Sequence, residues 1–129
     1  MSTFKSPEVL INKSARGFFN KISDLNNLKE ILPKDIRDFK STKSRCSFKM
    51  NDLPELIFEI SEKIEFSKIS FKAIDSQVPL SLNCYISESG DKCKARIEIE
   101  AELNMMMRMM VEKPLINFLN IISTKLQKI

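Results

Sequence analysis

The chain has 129 residues, 43% hydrophobic and 29% charged, with 21 basic against 17 acidic side chains and a formal net charge of +4. That length suits one domain, residues 1–129, with a single sizeable core, and the apolar share is too high for a disordered chain. The absence of His excludes metal sites and acid–base schemes built on imidazole, and two glycines cannot build a glycine-rich phosphate loop.

The stretch from Thr3 to Asn12 is β-like, with Phe4, Val9 and Ile11 as apolar points and Pro7 marking an edge or a bulge. Ser14 suits the N-cap of a helix that carries Phe18, Phe19 and Ile22 at helical spacing. Asp24 suits a second cap, leading a short helix with Leu25, Leu28, Ile31 and Leu32 that ends at Pro33. From Ile36 to Leu103 the apolar period becomes two. Cys46, Phe48 and Met50 form one such run, then Phe58 and Ile60, then Ile69, Phe71 and Ala73, then Leu80, Leu82, Cys84 and Ile86. The last run is the cleanest: Cys93, Ala95, Ile97, Ile99, Ala101 and Leu103 point one way, and Lys94, Arg96, Glu98, Glu100 and Glu102 the other. Alternation of this kind predicts an antiparallel sheet with one wet face and one covered face. Turn signals separate the runs at Asn51-Asp52 with Pro54, at Asp75-Ser76 with Pro79, and at Ser89-Gly90-Asp91.

After Asn104, a cap candidate, the period is helical to the end. Lys113, Asn117, Asn120, Thr124 and Gln127 form a polar stripe; Val111, Leu115, Phe118, Ile122, Leu126 and Ile129 form the opposite one. A helix of about 24 residues is roughly 36 Å long and can cross a whole sheet. Pro114 predicts a kink or a junction between two helical segments. The helix needs an apolar surface to cover, and the sheet needs a cover. The expected class is therefore α+β: a curved antiparallel sheet of about seven strands, in β-α-α-β6-α order, wrapped around one long C-terminal helix.

No run of about 18 apolar residues occurs, so no membrane-spanning helix is expected. The first twelve residues lack the apolar core of a signal peptide, and the expected location is cytoplasmic. Cys46, Cys84 and Cys93 are odd in number and without paired ligand spacing, which suits reduced, buried thiols and no metal. Basic residues are densest from Lys34 to Lys49, where Asp35 and Asp38 interrupt them. That suits a solvated basic edge, and no nucleic-acid partner is expected.

The order of elements resembles the START-like, or SRPBCC, superfamily, the helix-grip fold of the birch pollen allergen and of small bacterial polyketide-cyclase-like proteins. The carriers are Ile11-Asn12-Lys13-Ser14-Ala15, Phe18-Phe19-Asn20 and Ser23-Asp24-Leu25-Asn26-Asn27-Leu28. Ala101-Glu102-Leu103-Asn104, running into the Met-rich start of the last helix, and Lys113-Pro114-Leu115 add to them. The chain is similar to the uncharacterised bacterial branch rather than to an enzyme branch. Gly17 departs from the pattern, since family members often carry an acidic residue there that completes a capping box.

The resemblance implies a cavity between sheet and helix, and ligand pockets typically hold about 300–1,000 Å³. Strand parity predicts its lining: Phe48, Phe58, Phe71, Leu82, Cys84, Ile97 and Ile99 from the sheet, with Val111, Leu115, Phe118 and Ile122 from the helix. The same residues could instead fill a packed core. An open cavity would suit a lipid, polyketide, isoprenoid or aromatic molecule, bound without chemistry and without a cofactor. The one candidate acid is Glu62, which shares parity with Phe58, Ile60, Ile64 and Phe66 and would serve a cyclase- or dehydratase-like activity if it faced inward. A bulge between Ile60 and Ile64 would turn it out to water. Five methionines between Met105 and Met110 wrap more than one helix face. Met106, Met109 and Met110 are candidates for a pocket lid, a dimer contact or a protein-partner surface.

Overall fold

A computed structural model describes residues 2–50, 55–76 and 79–129. The opening segment forms two strands, β1 (Ser2–Lys5) and β2 (Val9–Ile11). Helix α1 (Ala15–Ile22) and a 3-10 helix (Leu25–Glu30) follow. Six more strands come next: β3 (Arg37–Ser41), β4 (Arg45–Lys49), β5 (Leu56–Ile64), β6 (Lys68–Ala73), β7 (Leu80–Ser89) and β8 (Lys92–Ala101). Helix α2 (Met105–Leu126) closes the fold. The strands form one curved antiparallel sheet in the order β1-β8-β7-β6-β5-β4-β3, with β2 also on β8. This is the expected α+β helix-grip architecture, with the opening strand split in two.

The split has a local cause. Pro7 has no N–H for the ladder and interrupts the strand. Ser6 keeps the pairing intact across the break: its N–H donates to the Ile97 carbonyl at 2.8 Å, and its Oγ accepts the Ile97 N–H at 2.9 Å. Both strand segments therefore stay on β8, with Phe4 opposite Ile99 and Val9 opposite Ala95.

The two helical caps form as expected. Ser14 Oγ accepts the Gly17 N–H at 3.0 Å, and Asp24 Oδ1 accepts the Asn26 N–H at 3.0 Å. Phe18, Phe19, Ile22 and Leu25 are buried from these short elements. At the β7–β8 hairpin, Gly90 has φ +67°, the left-handed backbone that a two-residue turn requires. The Asn51-Asp52-Pro54 turn signal lies outside the described residues, as does part of the segment between Ser76 and Pro79.

Strand parity is obeyed on the covered face. Cys46, Phe48, Phe58, Ile69, Phe71, Cys84, Ile97 and Ile99 are all buried there. The opposite face carries charge. Glu98 stands 2.7 Å from Arg96 and 3.6 Å from Lys5, and the Arg96 guanidinium lies over the Tyr85 ring. Ser70 Oγ donates to Asn83 Oδ1 at 2.6 Å near the middle of that face, and both residues are buried.

Helix α2 begins at Asn104, whose Oδ1 accepts the Met107 N–H at 2.8 Å. Pro114 sits inside one continuous helix, so the expected junction between two segments does not occur. The helix is unevenly buried. Phe118, Leu119, Ile122, Ser123 and Leu126 sink into the core, whereas Met105, Met106, Met109 and Met110 are 71–82% exposed. The polar stripe Lys113, Asn117, Asn120, Thr124 and Gln127 faces out, as its spacing predicts. Among the described residues, no helix is long and apolar enough to cross a membrane.

Candidate functional site

Two small cavities lie between the sheet and α2. The first, about 50 Å³, is walled by Cys46, Phe48, Phe58, Phe71, Leu82, Cys84 and Ile97 from the sheet. Phe118, Ile122 and Leu126 close it from α2, and Ile22, Leu28, Ile31 and Leu32 from the short helices and the turn behind them. The second, about 30 Å³, lies toward the opposite end of the sheet, among Phe48, Met50, Leu56, Phe58, Leu80, Leu82, Ile99, Leu115 and Phe118. Phe48, Phe58, Leu82 and Phe118 touch both, so these four side chains are the partition between them.

The structure brings Phe48, Phe58, Phe71, Leu82, Cys84, Ile97, Ile99, Leu115, Phe118 and Ile122 around this pair of cavities. Val111 lines neither. It is only half-buried, because it lies in the part of α2 that precedes the sunken stretch Phe118–Leu126. Sequence parity missed Cys46 and Leu126, although each shares a face with residues it selected. It also missed Ile22, Leu28, Ile31 and Leu32, whose helical spacing marks them as apolar but not as neighbours of β4 and β7.

The size departs from the expectation. Cavities of about 50 and 30 Å³ are far below the roughly 300–1,000 Å³ of a ligand pocket. Aromatic bulk is the reason: the Phe48 and Phe58 rings stack 6.1 Å apart, and Phe71 and Phe118 line the same space. Each space is large enough for a water molecule by volume. Among the described residues neither is lined by a charged, hydroxyl or amide side chain, and water needs two or more polar partners to settle.

The titratable groups on the walls are thiols. Burial pushes Cys46 up to about 11 and Cys84 up to about 12 from an ordinary 9.0. Both therefore stay protonated at neutral pH and are poor nucleophiles. All three cysteines are free and buried. Among the described residues, no cluster of three His, Cys, Asp or Glu side chains could hold a metal.

Glu62 is not in the cavity. The β5–β6 register shifts between Ile60 and Glu62, so Ser61 takes up the extra position and Glu62 pairs with outward-facing Ser70. Its side chain is half exposed and holds Lys68 Nζ at 2.8 Å. That hydrogen bond raises the Lys68 pKa, Glu62's charge adding to it against a desolvation cost. The bulge inverts the parity that made Glu62 a candidate, and the inward acid is thereby corrected. The candidate lid residues Met106, Met109 and Met110 are exposed rather than folded over the cavity.

No protein-family model and no curated protein matches the sequence. The fold matches solved structures closely. A crystal structure of a protein from Thermus thermophilus aligns with TM-score 0.72 at 13% identity, covering 98% of this chain and 95% of that one. The X-ray structure of norcoclaurine synthase from Thalictrum flavum aligns with TM-score 0.71 at 17% identity, covering 98% and 84%. A protein from Chromobacterium violaceum aligns with TM-score 0.69 at 10% identity, covering 98% and 94%. The similarity runs over essentially the whole chain and establishes the helix-grip fold.

Proposed function

We propose that this protein binds a small hydrophobic molecule between the sheet and the C-terminal helix and does no chemistry on it. The observation that carries this reading is the shared wall: among the described residues two cavities with apolar linings lie side by side and have Phe48, Phe58, Leu82 and Phe118 in common. Rotation of these side chains would join the two spaces into one. Such an opening costs free energy, so the apparent affinity is reduced by the fraction of molecules already open. A lipid, polyketide, isoprenoid or aromatic compound fits walls of this composition. Free, protonated thiols and the lack of any paired cysteine suit a cytoplasmic setting.

The alternative reading, a cyclase- or dehydratase-like enzyme in the same space, draws on the likeness to norcoclaurine synthase. Its candidate acid, Glu62, is outside that space and paired with Lys68. Native mass spectrometry of protein exposed to a lipid extract tests the binding reading. A retained small molecule, together with shifted Phe118 and Ile122 NMR signals, supports it; no retained mass and unshifted signals reject it.

The exposed methionines support a second reading, contact with a protein partner or with a second copy through the first half of α2. Four large apolar side chains at 71–82% exposure form an apolar patch of the sort that marks interaction surfaces. Met106→Glu and Met110→Glu should then weaken self-association in sedimentation experiments, and a monomer at all concentrations would dispose of the dimer.

A further inference from the structure

Leu32 lines two spaces at once. On its inner side is the cavity of about 50 Å³, and on its outer side is a surface groove of about 350 Å³. The groove has an apolar part made by Leu32, Pro33, Ile36 and Phe39. It also carries three ammonium groups, from Lys29, Lys34 and Lys125. Its acid is Asp38, whose carboxylate lies 3.6 Å from Lys49, a residue outside the groove lining. Lys29 and Lys34 are exposed and form no ion pair among the described residues. Lys125 is held in place, since its Nζ donates to the Leu32 carbonyl at 2.6 Å. An ammonium has three N–H donors, so two remain for a ligand.

The arrangement is amphipathic in depth. Lys29 and Lys34 are exposed, Ile36 and Phe39 are half-buried and Leu32 and Pro33 are buried, and Leu32 is the residue this groove shares with the inner cavity. We propose that the groove is the outer half of a binding site for a single-chain alkyl carboxylate. Its head group sits among Lys29, Lys34 and Lys125, and its chain passes Leu32 into the inner cavity once rotation of the shared wall joins that cavity to the second. Charge complementarity selects the head, and the shared Leu32 wall sets the direction of the tail. This rests on the hydrophobic-ligand reading above and adds the ligand class and the way in.

The test uses the full chain with three monomeric ten-carbon probes: decanoate, decanol and decyltrimethylammonium. Calorimetry measures affinity, and NMR follows the Leu32 and Ile122 methyls and the Lys125 side chain. The expected result is decanoate bound about tenfold more tightly than either other probe, with all three NMR sites shifted. In the Lys29→Gln/Lys34→Gln protein, the preference for decanoate over decanol should fall roughly three- to tenfold, the sum of two exposed charge contacts. Equal binding of decanoate and decanol, with Ile122 shifted and Lys125 unmoved, overturns the head-group site and leaves the hydrophobic-ligand reading standing. Decanoate that shifts Lys125 but not Ile122 overturns the threading. Failure of all three probes to bind overturns the alkyl-carboxylate site, and the hydrophobic-ligand reading is then decided by the lipid-extract experiment.

Discussion

The rings of Phe48 and Phe58 lie stacked on neighbouring strands, centroids 6.1 Å apart and planes inclined by 21°. Both belong to the wall that divides the space under α2, and Phe118 completes that wall from the helix. Phe118→Ala should merge the two cavities. Truncating a buried phenylalanine costs about 3–5 kcal/mol, a loss to be read from urea unfolding. The same variant should bind benzene, as enlarged dry apolar cavities do. A loss of stability without any binding of benzene would mean that the walls collapse into the gap.

Glu62 is paired with Lys68 on the outer side of the β5–β6 bulge. Glu62→Gln should cost no more than about 1 kcal/mol, since exposed ion pairs contribute little. Binding of a hydrophobic probe should be unchanged. A large loss of probe affinity in this variant would place the carboxylate back in the site and contradict the β5–β6 register.

Ser6 supplies the acceptor for the Ile97 N–H where Pro7 breaks the strand. Ser6→Ala leaves that buried donor without its partner and should destabilise by about 1–3 kcal/mol. Amide hydrogen exchange at Ile97 should speed up more than exchange at Ile99. Uniform protection along β8 would show that the hydroxyl is dispensable.

The buried thiols give a pH dependence with a definite sign. Their folded-state pKa values are raised by burial, to about 11 for Cys46 and about 12 for Cys84, against 9.0. The folded protein keeps protons that the unfolded chain releases. Stability from this source is therefore fully present below pH 9 and is lost as pH rises through 11 and 12. Lys68, also raised, loses its contribution in the same direction, above its ordinary 10.5. The urea midpoint should fall as pH rises from about 9 to 11, and the fall should be shallower in Cys84→Val. An unchanged slope would assign the alkaline loss elsewhere.

Local rules carried the sequence reading a long way. Period-two runs placed Cys46, Phe48, Phe58, Phe71, Leu82, Cys84, Ile97 and Ile99 on one covered face, because side chains alternate wherever a strand is regular. Ser14, Asp24 and Asn104 marked helix starts, because a short polar side chain satisfies amides that the helix leaves free. Those two kinds of signal were enough for the α+β class and for the helix laid on the sheet.

Three features depended on distance in space and not on spacing in the chain. The bulge at Ser61 turned Glu62 outward, and a one-residue slip is invisible to parity until strands are paired. The depth to which α2 sinks left Val111 half-buried and the methionines bare while Phe118 was covered, although all lie on one continuous helix. Cavity size followed from how aromatic rings from β4, β5, β6 and α2 share one volume. Composition and period determine which residues go inside; only the assembled tertiary structure decides how much room they leave, because packing is a property of several distant segments at once.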